Sequence, residues 1–240
     1  MVYHILNGDA LAQRFPTDLK GELIVFRECL VSGPNTSSSH ADLYKLRKTY
    51  LQELTGGPVD YDGTVVTEFD KILDLTAHSE INLWFEYDLF CQVNLWYILY
   101  LLSLNDRPLQ VRLVLPDDRS PYGFHQYSNE ELKTLYNNYY HIKITSEIGQ
   151  IWEAYVNRDA EQICHASQPL TDINPALSEA IELQQERIQL DDDPIVMKLK
   201  VIVNELNSDD FGNNIFRQFQ KRHPYYGLGD LQVKSYVDRL

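Results

Sequence analysis

The chain has 240 residues, 44% hydrophobic and 23% charged, with 21 basic against 35 acidic side chains and a formal net charge of −14. That length can bury a full-sized core in one large domain or two modest ones, and the composition is that of an ordinary globular protein. Each half of the chain carries −7, so no basic domain hides in the average, which disfavours bare nucleic acid and anionic membrane surfaces as partners.

Tyr3 to Leu6 reads as a first strand, followed by Asn7-Gly8-Asp9 and a short helix from Ala10 to Phe15. Glu22 to Phe26 is a second strand, ending in Arg27-Glu28-Cys29, and Gly33-Pro34 with Asn35 to Ser39 makes a polar loop. Helical spacing predicts a helix over 41–54, stopped by Gly56-Gly57-Pro58, and another over about 65–77. Ile81 to Phe85 is a short apolar run that reads as a third strand. Glu86 and Asp88 follow in one tight turn, and Leu89, Val93, Trp96, Ile98, Leu99 and Leu102 then recur on one broad helical face. Gln110 to Leu115 is a fourth strand. Strands separated by helices imply right-handed crossovers and a mostly parallel sheet.

The character changes after Pro121. Ser128-Asn-Glu-Glu131 is a capping box, and helical patterns occupy 129–140, 146–157, 159–166, 174–187, 194–206, 211–221 and 229–239, with no strand after 144. The expected architecture is an α/β domain over 1–122 and an all-helical domain over 123–240. Cys29, Cys91 and Cys164 lie at long spacings that fit neither a zinc finger nor a disulfide framework. Reduced thiols in a cytoplasmic protein fit best. The N-terminus has no signal-peptide pattern. The most apolar stretch contains Glu86, Asp88, Gln92 and Asn94 and is too polar to span a bilayer.

A parallel sheet would bring Asn7, Asp9, Arg27, Glu28, Glu86 and Asp88 to one edge, where open α/β sheets bind ligands. Four carboxylates there repel one another unless a cation or an arginine neutralises them. Mg²⁺ suits such a place, with Glu86 and Asp88 as its ligands and substrate phosphate completing its shell. Asp9, Glu28, Glu86 and Asp88 are therefore the candidate catalytic residues, as metal ligands or general acids and bases. Arg27 would neutralise a phosphate, Asn7 and Gln92 would orient the ligand, and Gly8 would let backbone approach it. A purely structural reading stands beside this one: Asp9 and Asp88 as helix N-caps and Glu86 paired with Arg27. Cys91 and His4 read as buried structural residues, while His40 and His125 lie in loops that nothing in the sequence ties to the edge. Neither GxGxxG nor a P-loop is present.

His4-Ile-Leu-Asn-Gly-Asp9, Leu83-Trp-Phe-Glu-Tyr-Asp-Leu-Phe-Cys-Gln92 and Tyr226-Gly-Leu-Gly-Asp-Leu-Gln232 together resemble the bacterial family called domain of unknown function eighteen-thirty-five. Val25-Phe-Arg-Glu28 with Gly33-Pro34, and Trp152-Glu-Ala-Tyr155, also resemble family segments. The resemblance implies a Rossmann-like N-terminal region and a helical C-terminal region, and it supplies no activity. Some relatives end in a winged-helix-like segment, whose recognition-helix pattern the tail here lacks. The expected function is a cytoplasmic, Mg²⁺-dependent enzyme acting on a small phosphorylated or nucleotide-like substrate. The alternative is a non-enzymatic ligand-sensing or protein-interaction module, a homo-oligomer included, that uses its helical half. DNA binding by the C-terminal helices ranks last.

Overall fold

The computed structural model describes residues 1–37, 39–120, 123–206 and 214–240. Ser38 of the expected polar loop, Pro121 and Tyr122 at the expected domain boundary, and 211–213 of the expected helix 211–221 lie outside the described residues.

Strands β1 (Val2–Asn7), β2 (Glu22–Phe26), β3 (Glu80–Trp84), β4 (Gln110–Val114) and β5 (Tyr140–Ile142) form one sheet in the order β2-β1-β3-β4-β5. The first four are parallel and β5 runs antiparallel to β4. The fold class is thus α/β with a mostly parallel sheet, as the alternation of elements predicts. β5 corrects the expectation of an all-helical second half. Of its three residues only Ile142 is buried, and a strand that short shows no period to read.

Side chains alternate across the sheet, as a pleated backbone requires. Leu6, Trp84 and Val114 point to one face and pack with Leu11, Phe15, Leu132 and Leu135. Ile5, Leu83 and Leu113 point to the other. The first face is covered by α1 (Asp9–Ala12) and α5 (Asn129–Asn137), the latter opened by the Ser128–Glu131 capping box. The second is covered by α2 (His40–Thr55), α3 (Thr67–Leu73) and α4 (Leu89–Ser103).

α4 is more deeply placed than one apolar face predicts: twelve of its fifteen residues are buried. A helix that is apolar all round is a core helix, and the reason here lies in the second half of the chain. α6 (Ser146–Val156), α7 (Ala160–Ile173), α8 (Ser178–Gln189), α9 (Pro194–Leu206), α10 (Phe216–Arg222) and α11 (Asp230–Val237) follow the sheet. Ile148, Ile151 and Trp152 of α6 and Ile181 of α8 join Val93, Trp96 and Leu99 of α4 in the same apolar cluster as the sheet face. α4 therefore sits between the sheet and the later helices. Among the described residues no helix is long and apolar enough to cross a membrane.

Candidate functional site

The chain leaves β1 for β2 on one side and returns to β3 on the other, so the strand order reverses between β1 and β3. The crevice beyond the carboxyl ends of the strands at such a point is the usual ligand site of open α/β sheets. A cleft of about 850 Å³ opens there, within the range of small-molecule sites. Asn7 and Ala10 come to it from the end of β1, and Glu86, Asp88 and Cys91 from the β3–α4 turn. Arg119 and His125 arrive from the segment after β4, and the tail contributes residues between Phe219 and Gly229. A smaller space of about 110 Å³ shares Asn7, Glu86 and His125 with it.

Local chemistry fixes the floor of the cleft. Asp88 is the N-cap of α4, its carboxylate accepting the Cys91 N–H at 2.9 Å. Gln92 donates from Nε2 to the Glu86 backbone carbonyl at 2.6 Å, which closes the turn. The Glu86 carboxylate accepts the Phe124 N–H at 2.7 Å. Asn7 donates to the Cys91 sulfur at 2.8 Å and accepts from Asn94 at 2.9 Å. Asn94 also donates to the Glu28 carbonyl and accepts the Leu30 N–H. A string of amides thus ties the ends of β1 and β2 to the first turns of α4.

Two glycines bring backbone directly onto the two carboxylates. Gly123 has φ +49 and Gly227 φ +64, and a Cβ on either would overlap the carboxylate of Glu86 or of Asp88 respectively. Only glycine takes these angles readily and leaves that space.

Burial and mutual repulsion shape the electrostatics of this turn. Burial, and then the neighbouring Asp88, push the Glu86 pKa up to about 7. Burial also raises Asp88, and burial together with the Asp88 and Glu86 charges raises Cys91 well above the ordinary thiol value. Cys91 is therefore a neutral thiol, consistent with the structural reading of it. Neither Glu86 nor Asp88 has a cationic partner among the described residues. Glu86, Asp88 and Cys91 can place one ligand atom each within 4.8 Å of one another. The two carboxylates suit a hard divalent cation, and the protonated sulfur adds little to it.

Of the residues expected at the edge, the structure gathers Asn7, Glu86 and Asp88 in the cleft, with Gln92 behind them as a buried support for the turn. Arg27 pairs with Asp9 at 2.9 Å on the surface, not with Glu86. Asp9 is the first helical residue of α1 rather than its N-cap, which is Gly8 at φ +94 with open space around it. Glu28 turns away altogether. It accepts from Arg47 at 3.0 and 2.6 Å, from Tyr61 at 2.7 Å and from its neighbour's N–H at 2.8 Å, and its side chain is fully buried. The four carboxylates thus separate into two neutralised by arginine and two that are not. His4 is a satisfied core residue, donating to the Lys20 carbonyl and accepting from Trp84, and His40 packs on Tyr44 and Tyr100 instead of the cleft. His125 does reach the cleft. Arg119, Lys221, His223 and Tyr225 reach it as well; in the sequence Lys221 shows only as one of several basic residues of the tail, and nothing marks the other three.

No protein-family model matches the chain, and no curated protein matches it.

Proposed function

We propose that the protein binds a small phosphorylated or nucleotide-like molecule in the switch-point cleft and acts on it through Glu86 and Asp88. The observation that carries this reading is the pair itself: two half-buried carboxylates without a cationic partner among the described residues, in a cleft of about 850 Å³ at the reversal of strand order. A carboxyl group with a pKa near 7 is suited to giving and taking a proton at neutral pH, and strongly shifted groups in clefts are functional-site candidates. Glu86 is the proton-transfer group in this reading, and Asp88 holds the substrate or, with Glu86, a divalent cation such as Mg²⁺. The strand order supports a Rossmann-like description of the sheet. Asn7, the Glu86–Cys91 turn and Gly227 to Gly229, which belong to the three motifs that resemble the family of unknown function, all meet at this cleft, which supports kinship with that family.

The test is thermal unfolding with Mg²⁺ or Mn²⁺ and with a panel of nucleotides and sugar phosphates, since anything that binds only the folded state raises the midpoint. A rise that Glu86→Gln removes is the expected result. No rise with any of them, or rises that Glu86→Gln leaves intact, would overturn the proposal. One observation favours the alternative, a non-enzymatic interaction module. Met197 and Val201 lie one turn apart on α9, at 47% and 53% exposure, and an apolar pair of this kind fits a protein contact.

A further inference from the structure

We infer that Arg119 and Lys221, the two cationic side chains among the described residues that line the cleft, form the subsite that takes the ligand's phosphate. The inference rests on the proposed function and deepens it by assigning the two ends of the ligand. It begins from a local balance of charge in an acidic chain. Acidic residues outnumber basic ones 35 to 21 over the chain, yet the cleft is lined by two carboxylates, an arginine, a lysine and two histidines. A protein at −14 repels an anion at long range, so an anionic ligand requires positive charge gathered where it binds.

The other places a phosphate might occupy are already filled. The first turn of α4 points its N–H groups toward the cleft end, and the Asp88 carboxylate caps them. Arg27, the arginine nearest the strand ends in sequence, turns to Asp9 on the surface and is not among the residues lining the cleft. Lys221 is different: it is exposed, lines the cleft and forms no ion pair among the described residues. Arg119 is held in place by Glu179, and its guanidinium lies 5.6 Å from the centre of the Tyr225 ring. A flat guanidinium fixed in this way presents its edge to a phosphate at little further entropic cost. His223, its pKa lowered by burial and by Lys198 and Arg222, also lines the cleft, while His125 lies toward the Glu86 end, where it shares the smaller space.

The ligand class follows from the two ends. A phosphate lies against Arg119 and Lys221, and hydroxyl or protonated amino groups face Glu86 and Asp88, which is the pattern of a phosphate ester of a polyol or a nucleoside. Phe90, Phe219 and Tyr225 also line the cleft and offer apolar surface to a ring.

The experiment is calorimetric titration of the full chain with inorganic pyrophosphate and with the phosphate esters that raise the unfolding midpoint. Lys221→Glu and Arg119→Gln serve as variants, each checked for an unchanged circular dichroism spectrum. Pyrophosphate is expected to bind the wild type, more weakly as salt rises, and Lys221→Glu is expected to cut its affinity by about tenfold or more, the value of one charge-assisted hydrogen bond. Wild type that binds no pyrophosphate, or affinity unchanged in both variants, overturns the subsite. Esters that Glu86→Gln loses but Lys221→Glu keeps would overturn the subsite and leave the proposed function standing. Binding of no ester at all would overturn both.

Discussion

Gly227 lies against the carboxylate of Asp88 in a left-handed conformation at φ +64, so the tail of the chain rests on the cap of its central helix. Gly56, the residue that ends α2, has a similar φ of +70 but open space where a Cβ would go. The two glycines separate conformational strain from lost space. Alanine in a left-handed conformation costs about 1–2 kcal/mol, and that is the whole cost expected for Gly56→Ala. Gly227→Ala must also displace the Asp88 carboxylate and is expected to cost at least about 1 kcal/mol more. Urea unfolding of both variants checks this. Equal losses would show that the tail does not press on Asp88.

The buried pair of Glu28 and Arg47 offers a second test. Both side chains are fully buried, and Arg47 also donates to the Ser32 carbonyl at 2.6 Å. Removing one member of a buried pair leaves an uncompensated charge and costs about 3–5 kcal/mol. Arg47→Met is expected to lose that much in urea unfolding. Adding Glu28→Gln should return part of the loss, because the stranded charge is gone. A double variant as unstable as the sum of the two single ones would mean that the residues do not act as a pair.

What could be read in the sequence divides along the range of the interactions. Asp88 as the cap of α4 and Ser128–Glu131 as a capping box depend only on neighbours three residues away, and both form as the pattern suggests. The first four strands follow from local apolar runs. Glu28 was equally visible as a charge after a strand, but its orientation is decided by Arg47 on α2 and by Tyr61, and no spacing encodes that choice. Arg27 likewise has two acidic partners in prospect, and the fold selects Asp9. Lys221, His223 and Arg119 become cleft residues only because the tail packs across the sheet edge. Asn94 carried a local sign, a polar residue within an apolar helix, and it proves to be the junction between strand ends.

The three cysteines should separate cleanly by reactivity. Cys29 and Cys91 are buried and Cys164 is exposed. Burial raises the pKa of Cys29, with Glu28 adding to it, and Cys91 is raised further by burial and the carboxylates beside it. Thiolate is the reactive form. Native protein at pH 7.5 is therefore expected to take up one equivalent of a thiol reagent quickly, at Cys164, and the other two only on unfolding. Peptide mapping after a short iodoacetamide pulse checks the assignment. Rapid labelling of Cys91 in the folded protein would contradict the burial of the cleft floor.

Glu86 and His4 make stability respond to pH in opposite directions. Glu86 has a pKa near 7 in the folded protein against an ordinary value of 4.5. Between those values the folded state keeps a proton that the unfolded chain has released, so stability falls as pH rises through that window. Burial lowers the His4 pKa below its ordinary 6.5. The unfolded chain then binds the extra proton, and stability falls as pH drops below 6.5. Glu86→Gln keeps an acceptor for the Phe124 N–H while removing the ionisation. It should flatten the decline between pH 4.5 and 7 and leave the variant more stable than wild type at pH 8, by on the order of 2 kcal/mol. Asp88, raised in the same sense, would still lower the variant's stability as pH rises, and His4 would still lower it on acidification. Urea unfolding of both proteins at pH 5 and pH 8 decides it. A difference between variant and wild type that is the same at both pH values would mean that folded Glu86 holds no extra proton, and with it would go the case for proton transfer at this residue.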